Sequence, residues 1–299
     1  MTESPDGLPS ATASPTARRN SGGAFRAYCR NIGAVIGLAI LSVVFATAIF
    51  GPWFFPDDPW NMATRPFLRP FVEGEHLLGS DLLGRDVLTG IVYGARVSLM
   101  IGAISTFVAI IIGVAVGAVA GYFGGRADDA LMRFTEFFQT IPSFLFAIVL
   151  VAILLPSFET ICIAIAIVSW PPVARLVRGE VLSLRSREFV LAAVVAGQTP
   201  WRIITRQILP NTLSPIIVTA SMMVASAILL EGALSFLGLG DPNMMSWGFM
   251  VGAGRTVIRQ AWWISFFPGA AIMLTVLALN LVGEGLNDAL NPRQAREGR

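Results

Sequence analysis

The sequence predicts an all-α protein that crosses a membrane about six times, with both termini in the cytoplasm. Of its 299 residues, 55% are hydrophobic and only 13% are charged, and the mean hydropathy is +0.69. The apolar residues form long uncharged runs, several of which reach the ~20 residues that a helix needs to cross a bilayer. Soluble domains carry about twice this share of charge, so we expect a polytopic membrane protein.

The N-terminal part of the chain predicts a tail followed by a first span. Residues 1–22 are rich in Ser, Thr, Pro and Gly, which predicts a disordered tail. Residues 23–299 then form the predicted membrane domain, with span 1 at about Ile32–Phe50. A cleaved signal peptide is the alternative, because residues 46–48 resemble a cleavage site. The apolar run continues to Phe55, which favours a retained span.

A polar outer loop at about 52–96 separates span 1 from span 2, which falls within Val97–Gly125. The second run contains Gly113, Gly117 and Gly121, spaced every fourth residue. On a helix these glycines share one face and allow another backbone to approach closely. We therefore expect close helix packing there, either inside the chain or across a dimer.

Four further spans are predicted in the rest of the chain. Two adjacent prolines, Pro171 and Pro172, fall in the inner half of span 4. We expect that half to be bent or unwound, because proline cannot donate the helical hydrogen bond. The predicted bounds are about Phe137–Leu155 for span 3, Ile161–Leu176 for span 4, Pro215–Leu237 for span 5 and Trp262–Gly283 for span 6.

The arginines are distributed unevenly between the two sides that these spans define. With the N-terminus inside, the inside segments carry 15 arginines and the outside segments carry 6. Positive residues are enriched in cytoplasmic loops, so this orientation is favoured. It places the loop at about residues 177–214, between spans 4 and 5, in the cytoplasm.

This loop is polar but has an apolar centre at Phe189–Ala196. Eight residues are too few to cross a bilayer, and an apolar helix outside the membrane requires a partner surface. An amphipathic helix lying on the membrane surface is the alternative.

Local signals around this centre predict two short helices. Ser186 can cap the first helix, and Gly197 can end it in the left-handed conformation. Thr199 can cap the second helix, with Pro200 at its first position, and Pro210 would end it.

The spacing of this loop resembles the cytoplasmic signature loop of permeases in ATP-binding-cassette (ABC) importers. That signature has Glu-Ala-Ala, then Gly, then a Leu-Pro end, and the matching residues are Ala192, Ala193, Gly197, Leu209 and Pro210. Two positions depart from the pattern: Leu191 stands where the family usually has Glu, and Gln207 where it often has Ile. In that family the loop docks into a groove of an ATPase subunit. The resemblance therefore implies a coupling site formed by Phe189, Leu191, Ala192, Ala193, Gly197, Pro200, Leu209 and Pro210.

Other segments resemble one branch of this family, the second (C-type) permease of dipeptide, oligopeptide and nickel importers. The resemblance covers roughly residues 30–293 and implies the type I permease fold of ABC importers. For His76–Leu88 itself we expect a re-entrant or surface helix capped by Ser80 and Asp81. The segments that carry the likeness are His76–Leu88, Tyr93–Leu99, Ser235–Gly240 and Gly283–Arg293.

The resemblance implies a non-catalytic permease subunit of an ATP-driven peptide importer in the bacterial cytoplasmic membrane. It also implies a homologous second permease, two ATP-binding subunits and an extracytoplasmic substrate-binding protein as partners. The chain has no lysine and hence no phosphate-binding Gly-Lys-Ser/Thr motif, so ATP and Mg²⁺ would be bound by the ATPase chains. His76 is the sole histidine, and we expect no metal or cofactor site. We also expect membrane lipid as a partner, and we expect no nucleic acid partner.

Glu231 falls late in predicted span 5, and Asn280 falls in the middle of predicted span 6. An ionised group at the bilayer centre costs about 2.5–3.5 kcal/mol, so both should face the protein interior or a water-filled path. Both are candidates for the translocation path. Hydrogen bonding between helices is the alternative and is favoured, because polar residues also hold membrane helices together.

Other functions stay open at this point. An importer of nickel chelates or glutathione would belong to the same family. A secondary transporter driven by an ion gradient would need a coupling site, for which Glu231 is the candidate carboxylate. A non-transporting scaffold or sensor would share the fold, and an intramembrane enzyme is least supported because no nucleophile–base pair is visible.

Overall fold

The structure is a computed structural model that describes residues 28–72, 74 and 76–290. The predicted tail at residues 1–22 lies outside the described residues. Within the described part, helices dominate and no β-strand is present beyond one isolated bridge. The all-α prediction is confirmed.

The helices are numbered in chain order. A π-helical segment at Ile204–Ile208 joins α7 to α8, and a 3₁₀ turn at Arg255–Val257 follows α9. The helix bounds are Ile32–Phe54 (α1), Val87–Phe123 (α2), Gly125–Thr140 (α3), Ser143–Leu154 (α4), Phe158–Arg185 (α5), Glu188–Val195 (α6), Pro200–Ile203 (α7), Leu209–Phe236 (α8), Trp247–Gly254 (α9) and Trp263–Leu290 (α10).

Side chains cap three of the long helices at their N-termini. Asn31, Asp86 and Ser157 precede α1, α2 and α5, and each accepts a hydrogen bond from a backbone N–H three residues later. These bonds satisfy N–H groups that have no partner inside the helix. Because Asp86 starts α2, the outer loop ends ten residues earlier than the predicted boundary at residue 96.

Five segments are long and apolar enough to cross a membrane: α1, α2, α5, α10 and the run from α7 through α8. A sixth span would be the pair α3 and α4, which meet at 83°. The span predicted at Phe137–Leu155 therefore contains the break between α3 and α4. Pro142 explains the break, because it forces Ile141 before it into an extended conformation.

The glycines of α2 face α5 within the same chain. A Cβ on Gly113 would lie 2.5 Å from Cβ of Val173, and one on Gly117 would lie 2.4 Å from the carbonyl oxygen of Ala174. A Cβ on Gly121 would lie 2.9 Å from the Arg178 carbonyl oxygen. Only glycine allows these two backbones to pack so closely.

The same packing excludes the unwound alternative that we gave for the inner half of span 4. Helix α5 continues through Pro171 and Pro172 and is not unwound there. Trp170, Pro171 and Val173 are buried, and the contacts with α2 hold the helix although two of its N–H groups are missing.

We predicted that Pro210 ends a helix, and this is wrong, because Pro210 lies at the start of α8. The π-helical segment before it widens the turn, which allows a proline to follow without a clash. The Asn211 side-chain nitrogen donates to the carbonyl oxygen of Gln207 at 2.6 Å. The segment from Pro200 therefore runs into α8 as one long, locally distorted helix.

The long helices run between two ends of the bundle. One end carries the loop 55–86 together with α9, and we call it the loop end. The opposite end carries α6 and α7, and we call it the α6 end. At the loop end, apolar side chains of the loop pack on Met245, Met250 and Trp263.

The segment His76–Leu88 does not form the helix that we predicted before α2. Gly79 and Gly84 have φ angles of +76° and +78°, a conformation that glycine adopts freely and that interrupts an α-helix. The segment up to the start of α2 consists of turns, so the predicted caps Ser80 and Asp81 are wrong as well.

Ser80 instead ties the outer loop together. Its hydroxyl accepts from the Leu68 N–H at 2.9 Å and donates to the Arg65 carbonyl oxygen at 2.7 Å. Its carbonyl oxygen accepts from the indole N–H of Trp263 at 3.1 Å. Buried polar groups that are paired in this way give a loop one well-defined conformation.

Candidate functional site: the surface of helix α6

Helix α6 is attached to the bundle along one side. Val190 and Ala193 are buried on that side. They belong to an apolar cluster whose other members come from α2, α5, α7, the π-helical segment and α8, namely Ala118, Val173, Val177, Val181, Ile203, Ile204, Ile208 and Ile216. The cluster joins α6 to the long helices before and after it, so a displacement of α6 would act directly on both.

The rest of the α6 surface is largely apolar and exposed. Val195 is 89% exposed and Leu191 is 53% exposed, and Phe189 and Val194 are exposed as well. We call these four residues the α6 face. Four exposed apolar side chains on an eight-residue helix mark a surface that another molecule covers. The arrangement suits a helix that fills a groove on a protein.

Gly197 closes the C-terminus of α6 in the predicted left-handed conformation, with φ of +73°. Its N–H donates to the Val194 carbonyl oxygen at 2.9 Å, and the Gln198 N–H donates to the Ala193 carbonyl oxygen at 3.1 Å. These two bonds make a Schellman motif. Nothing lies within 4 Å of a Cβ built on Gly197, so the backbone conformation, and not space, requires glycine.

The remaining signature residues lie in different environments. Ala192 is exposed beside the α6 face, whereas Ala193 points into the cluster. Pro200 is exposed at the first position of α7, Leu209 packs partly buried on the cluster, and Pro210 is exposed. The signature thus combines residues that attach the loop to the bundle with residues that are available to a partner.

The start of α6 differs from the prediction. The residue before the helix is Arg187, whose side chain makes no capping bond, and the Ser186 hydroxyl donates instead to the Ser183 carbonyl oxygen at 3.4 Å. The predicted Ser186 cap is wrong because α5 extends to Arg185, so Ser186 ends α5. Thr199 does precede α7, but without a side-chain cap.

Trp201 is a residue of this end that the sequence analysis missed. It is exposed, and its ring meets that of Phe123 at the end of α2, with 6.0 Å between ring centroids. A tryptophan directly after Pro200 in a polar loop was the available signal, since exposed aromatic residues are enriched at interfaces.

An ion pair between α3 and α5 was also missed. The Arg178 guanidinium donates to both carboxylate oxygens of Asp128, at 2.5 and 2.6 Å. A two-point bond of this kind fixes geometry as well as distance. No sequence signal joins two residues that lie so far apart in the chain. The pair connects the broken span to the helix that precedes α6.

Glu231 is 1% exposed and lies near the loop end of α8. Its Oε1 accepts from the hydroxyls of Ser235 at 2.8 Å and Ser246 at 2.6 Å. Ser246 caps α9, and a Cβ on Gly248 would lie 2.8 Å from the same oxygen. The carboxylate therefore sits against the positive N-terminus of α9 and joins it to α8.

Asn280 is not near Glu231. It lies on the exposed surface of α10, in the half that approaches the α6 end. The structure therefore buries Glu231, one of the two path candidates, inside the chain, and it leaves Asn280, the other, exposed on the surface of the chain. They do not form one site within the described residues.

Two family comparisons agree with these features. Residues 113–296 match the family described as the binding-protein-dependent transport system inner membrane component. This chain belongs to that family. Residues 22–70 of the permease match the N-terminal transmembrane domain of oligopeptide transport permease C, which confirms the resemblance to C-type permeases. It is a multi-pass protein of the inner membrane.

The permease is similar over most of its length to curated relatives. It is 40% identical to the oligopeptide transport system permease protein OppC of Haemophilus influenzae, over 90% of this chain and 87% of that one. It is 41% identical to the di/tripeptide transport system permease protein DppC of Pseudomonas aeruginosa, over 90% and 91%. A dipeptide permease DppC of Alkalihalophilus pseudofirmus is 43% identical over 90% and 89%.

The fold of the permease is also found in a solved structure. An inward-facing structure of the MetNI methionine ABC transporter superposes with a TM-score of 0.56 at 17% identity. The match covers 68% of this chain and 96% of that chain. The predicted type I permease fold of ABC importers is therefore confirmed.

Proposed function

We propose that this permease is the transmembrane subunit of an ATP-driven importer that moves peptides, and that an ATPase subunit docks on the α6 face. The observation that carries the docking proposal is the exposed apolar α6 face on a helix whose other side is fixed to the bundle. The peptide substrate is supported by the relatives, which are named as oligopeptide, dipeptide and di/tripeptide permeases.

In this proposal the α6 end lies in the cytoplasm and the loop end lies outside. Arg185, Arg187, Arg202 and Arg206 cluster around α6 and α7, and such positive segments stay on the cytoplasmic side. ATP is available on that side, so the α6 face meets the compartment where an ATPase would bind.

The coupling mechanism follows from the attachment of α6. Closure of an ATPase pair on ATP would move a docked α6, and the buried cluster would pass that movement to α5 and α8. Helix α2 would follow α5, because their backbones touch along the glycine face. The Schellman motif at Gly197 keeps α6 from turning independently. Because α6 is rigidly attached, a movement of the ATPase groove would tilt these helices and change which side of the membrane has access to the translocation path.

The proposal requires other chains. A homologous second permease would supply the other half of the path, and a binding protein would deliver the peptide at the loop end. Two ATPase subunits would bind ATP and Mg²⁺, since this chain has no lysine for a phosphate-binding loop.

The test is affinity purification from the native membrane in mild detergent, followed by measurement of ATP hydrolysis with and without peptides. We expect a second permease and two ATPases in equal proportion, and hydrolysis that rises with peptide and binding protein. Uptake of a labelled dipeptide should stop when this chain is deleted. A chain that purifies without an ATPase after crosslinking, with uptake that depends on the proton gradient alone, would contradict the proposal.

A further inference from the structure

Arg96 is the one charged residue in α1 and α2, the helices at Ile32–Phe54 and Val87–Phe123. It is exposed on the surface of α2, and no described residue pairs with it by a hydrogen bond or an ion pair. An unpaired guanidinium on a membrane span is costly, and such residues normally find an anionic partner. An anionic partner for Arg96 is therefore expected from outside the described part of the chain.

Arg96 borders an apolar groove of about 400 Å³ between α1 and α2. All other lining residues are apolar, namely Phe45, Ala48, Ile49, Leu99, Met100 and Ala103. Toward the loop end the groove is closed, because α1 and α2 touch there: a Cβ on Gly51 would lie 2.3 Å from Cγ1 of Val92. The charge thus lies next to the closed end, and the apolar residues continue away from it.

The depth of Arg96 matches the upper part of one membrane leaflet. Trp53 and Phe54, at the loop-end terminus of α1, are 78% and 79% exposed, and exposed aromatic rings mark the membrane interface. Arg96 lies about one helical turn below Val92. Because the arginine side chain is long, its guanidinium can reach upward to the level of lipid phosphates.

The surface below Arg96 is apolar over the length of an acyl chain. Met100, Ile104, Phe107 and Ile111 are all exposed and share a face of α2 with Arg96 by their spacing. From Arg96 to Ile111 this strip extends roughly 22 Å, longer than a single leaflet of about 15 Å. A phospholipid would use both features, the charge for its phosphate and the strip for an acyl chain.

We propose that this groove binds one phospholipid of the leaflet at the loop end. Arg96 pairs with its phosphate, and one acyl chain lies along the groove between α1 and α2. Since α1 packs on α2 and α10, the bound lipid fills a gap at the attachment of the first span. The site is independent of the transported substrate.

The experiment uses the permease with the subunits that co-purify with it, stripped of lipid in detergent and titrated with phosphatidylglycerol by native mass spectrometry. We expect Arg96→Gln to weaken retention of one lipid about tenfold, the effect of losing a charge-assisted bond. Ala103→Trp, which fills the exposed groove, should weaken it similarly. Arg259→Gln removes the same charge from an exposed residue at the loop end and should change nothing.

Two additional probes identify the ligand. Diacylglycerol, which lacks the phosphate, should bind the unsubstituted protein about tenfold more weakly, and inorganic phosphate should not displace phosphatidylglycerol. Equal lipid retention by Arg96→Gln would overturn the proposal, and so would displacement by inorganic phosphate. A photoreactive side chain introduced at Met100 should label phospholipid, and labelling of another protein chain instead would assign the groove to a protein interface.

Discussion

The two ends of this permease differ in how far their side chains are buried and paired within the chain. At the loop end, Ser80 and Glu231 are buried and hydrogen-bonded within the chain, and apolar loop residues are packed on Trp263. At the α6 end, the apolar α6 face is left open. The polar contacts at the loop end are mostly made inside the chain, although Oε2 of Glu231 has no hydrogen-bond partner among the described residues. The open apolar face at the α6 end indicates a neighbour that is normally present. Substitutions at the loop end should therefore affect folding, and those on the α6 face should affect assembly.

Gly84→Val should have the largest effect, because it introduces a side chain into the tightly packed loop end. Gly84 has φ of +78°, and a Cβ there would lie 2.0 Å from the Thr64 carbonyl oxygen. We expect little folded protein in the membrane, measured by detergent extraction and thermal unfolding. Gly74→Ala is the control, since no atom lies within 4 Å of a Cβ built there. Normal yield of Gly84→Val would show that the loop is not rigid.

Gly197→Val should abolish peptide uptake while the protein still reaches the membrane. A β-branched residue in the left-handed conformation costs about 1–3 kcal/mol, and α6 would change its orientation. Uptake and membrane content are measured together. Gly197→Asn should retain much of the uptake, because asparagine adopts this conformation more readily. Loss of membrane content in Gly197→Val would mean that the α6 end also determines folding.

Val195→Asp should lower the affinity for the ATPase about 30-fold, equivalent to about 2 kcal/mol at a buried interface position. Val195 is 89% exposed in the isolated chain, so folding should be unaffected. Binding is measured with purified subunits, with Val195→Leu as an apolar control. If both variants bind equally well, the α6 face is not the contact.

Asp128→Asn should destabilise the permease by about 1–3 kcal/mol, because it leaves the Arg178 guanidinium without its two-point partner. We expect a lower unfolding temperature and a partial loss of uptake. The double variant Asp128→Arg with Arg178→Asp should recover part of the stability. An unchanged unfolding temperature in Asp128→Asn would show that the ion pair does not contribute to the stability of the fold.

Leu191→Glu should have the smallest effect. Leu191 is exposed on the α6 face, and the resemblance places a glutamate there in most of the family. We expect unchanged or slightly tighter ATPase binding and normal uptake. A strong loss of uptake would mean that the alignment of the signature with residues 191–210 is incorrect.

The number of spans and the short α6 helix could be predicted from the sequence, because both depend on local signals. Long apolar runs determine spans, and Gly197 ends α6 through its own backbone conformation. Sequence reasoning failed where distant packing decides the outcome. Pro171 and Pro172 look like helix breakers, yet contacts with the glycines of α2 keep α5 helical.

The polar groups show the same limit. Glu231 could be recognised as a residue that needs a partner, but its partner Ser246 comes from a different helix. Asp128 and Arg178 meet only because α3 folds back against α5. A single sequence indicates that such groups must be paired, and only the structure identifies with what.

The most direct measurement is cysteine crosslinking between α6 and the ATPase. Single cysteines would be introduced by Val195→Cys and Ala193→Cys in a chain whose Cys29 and Cys162 are replaced by serine, and each would be tested in membranes with and without ATP. The exposed position 195 should crosslink to the ATPase with a yield that changes on ATP addition, whereas the buried position 193 should not. No crosslink from position 195, or equal yields from both, would contradict the assignment of the α6 face as the docking surface.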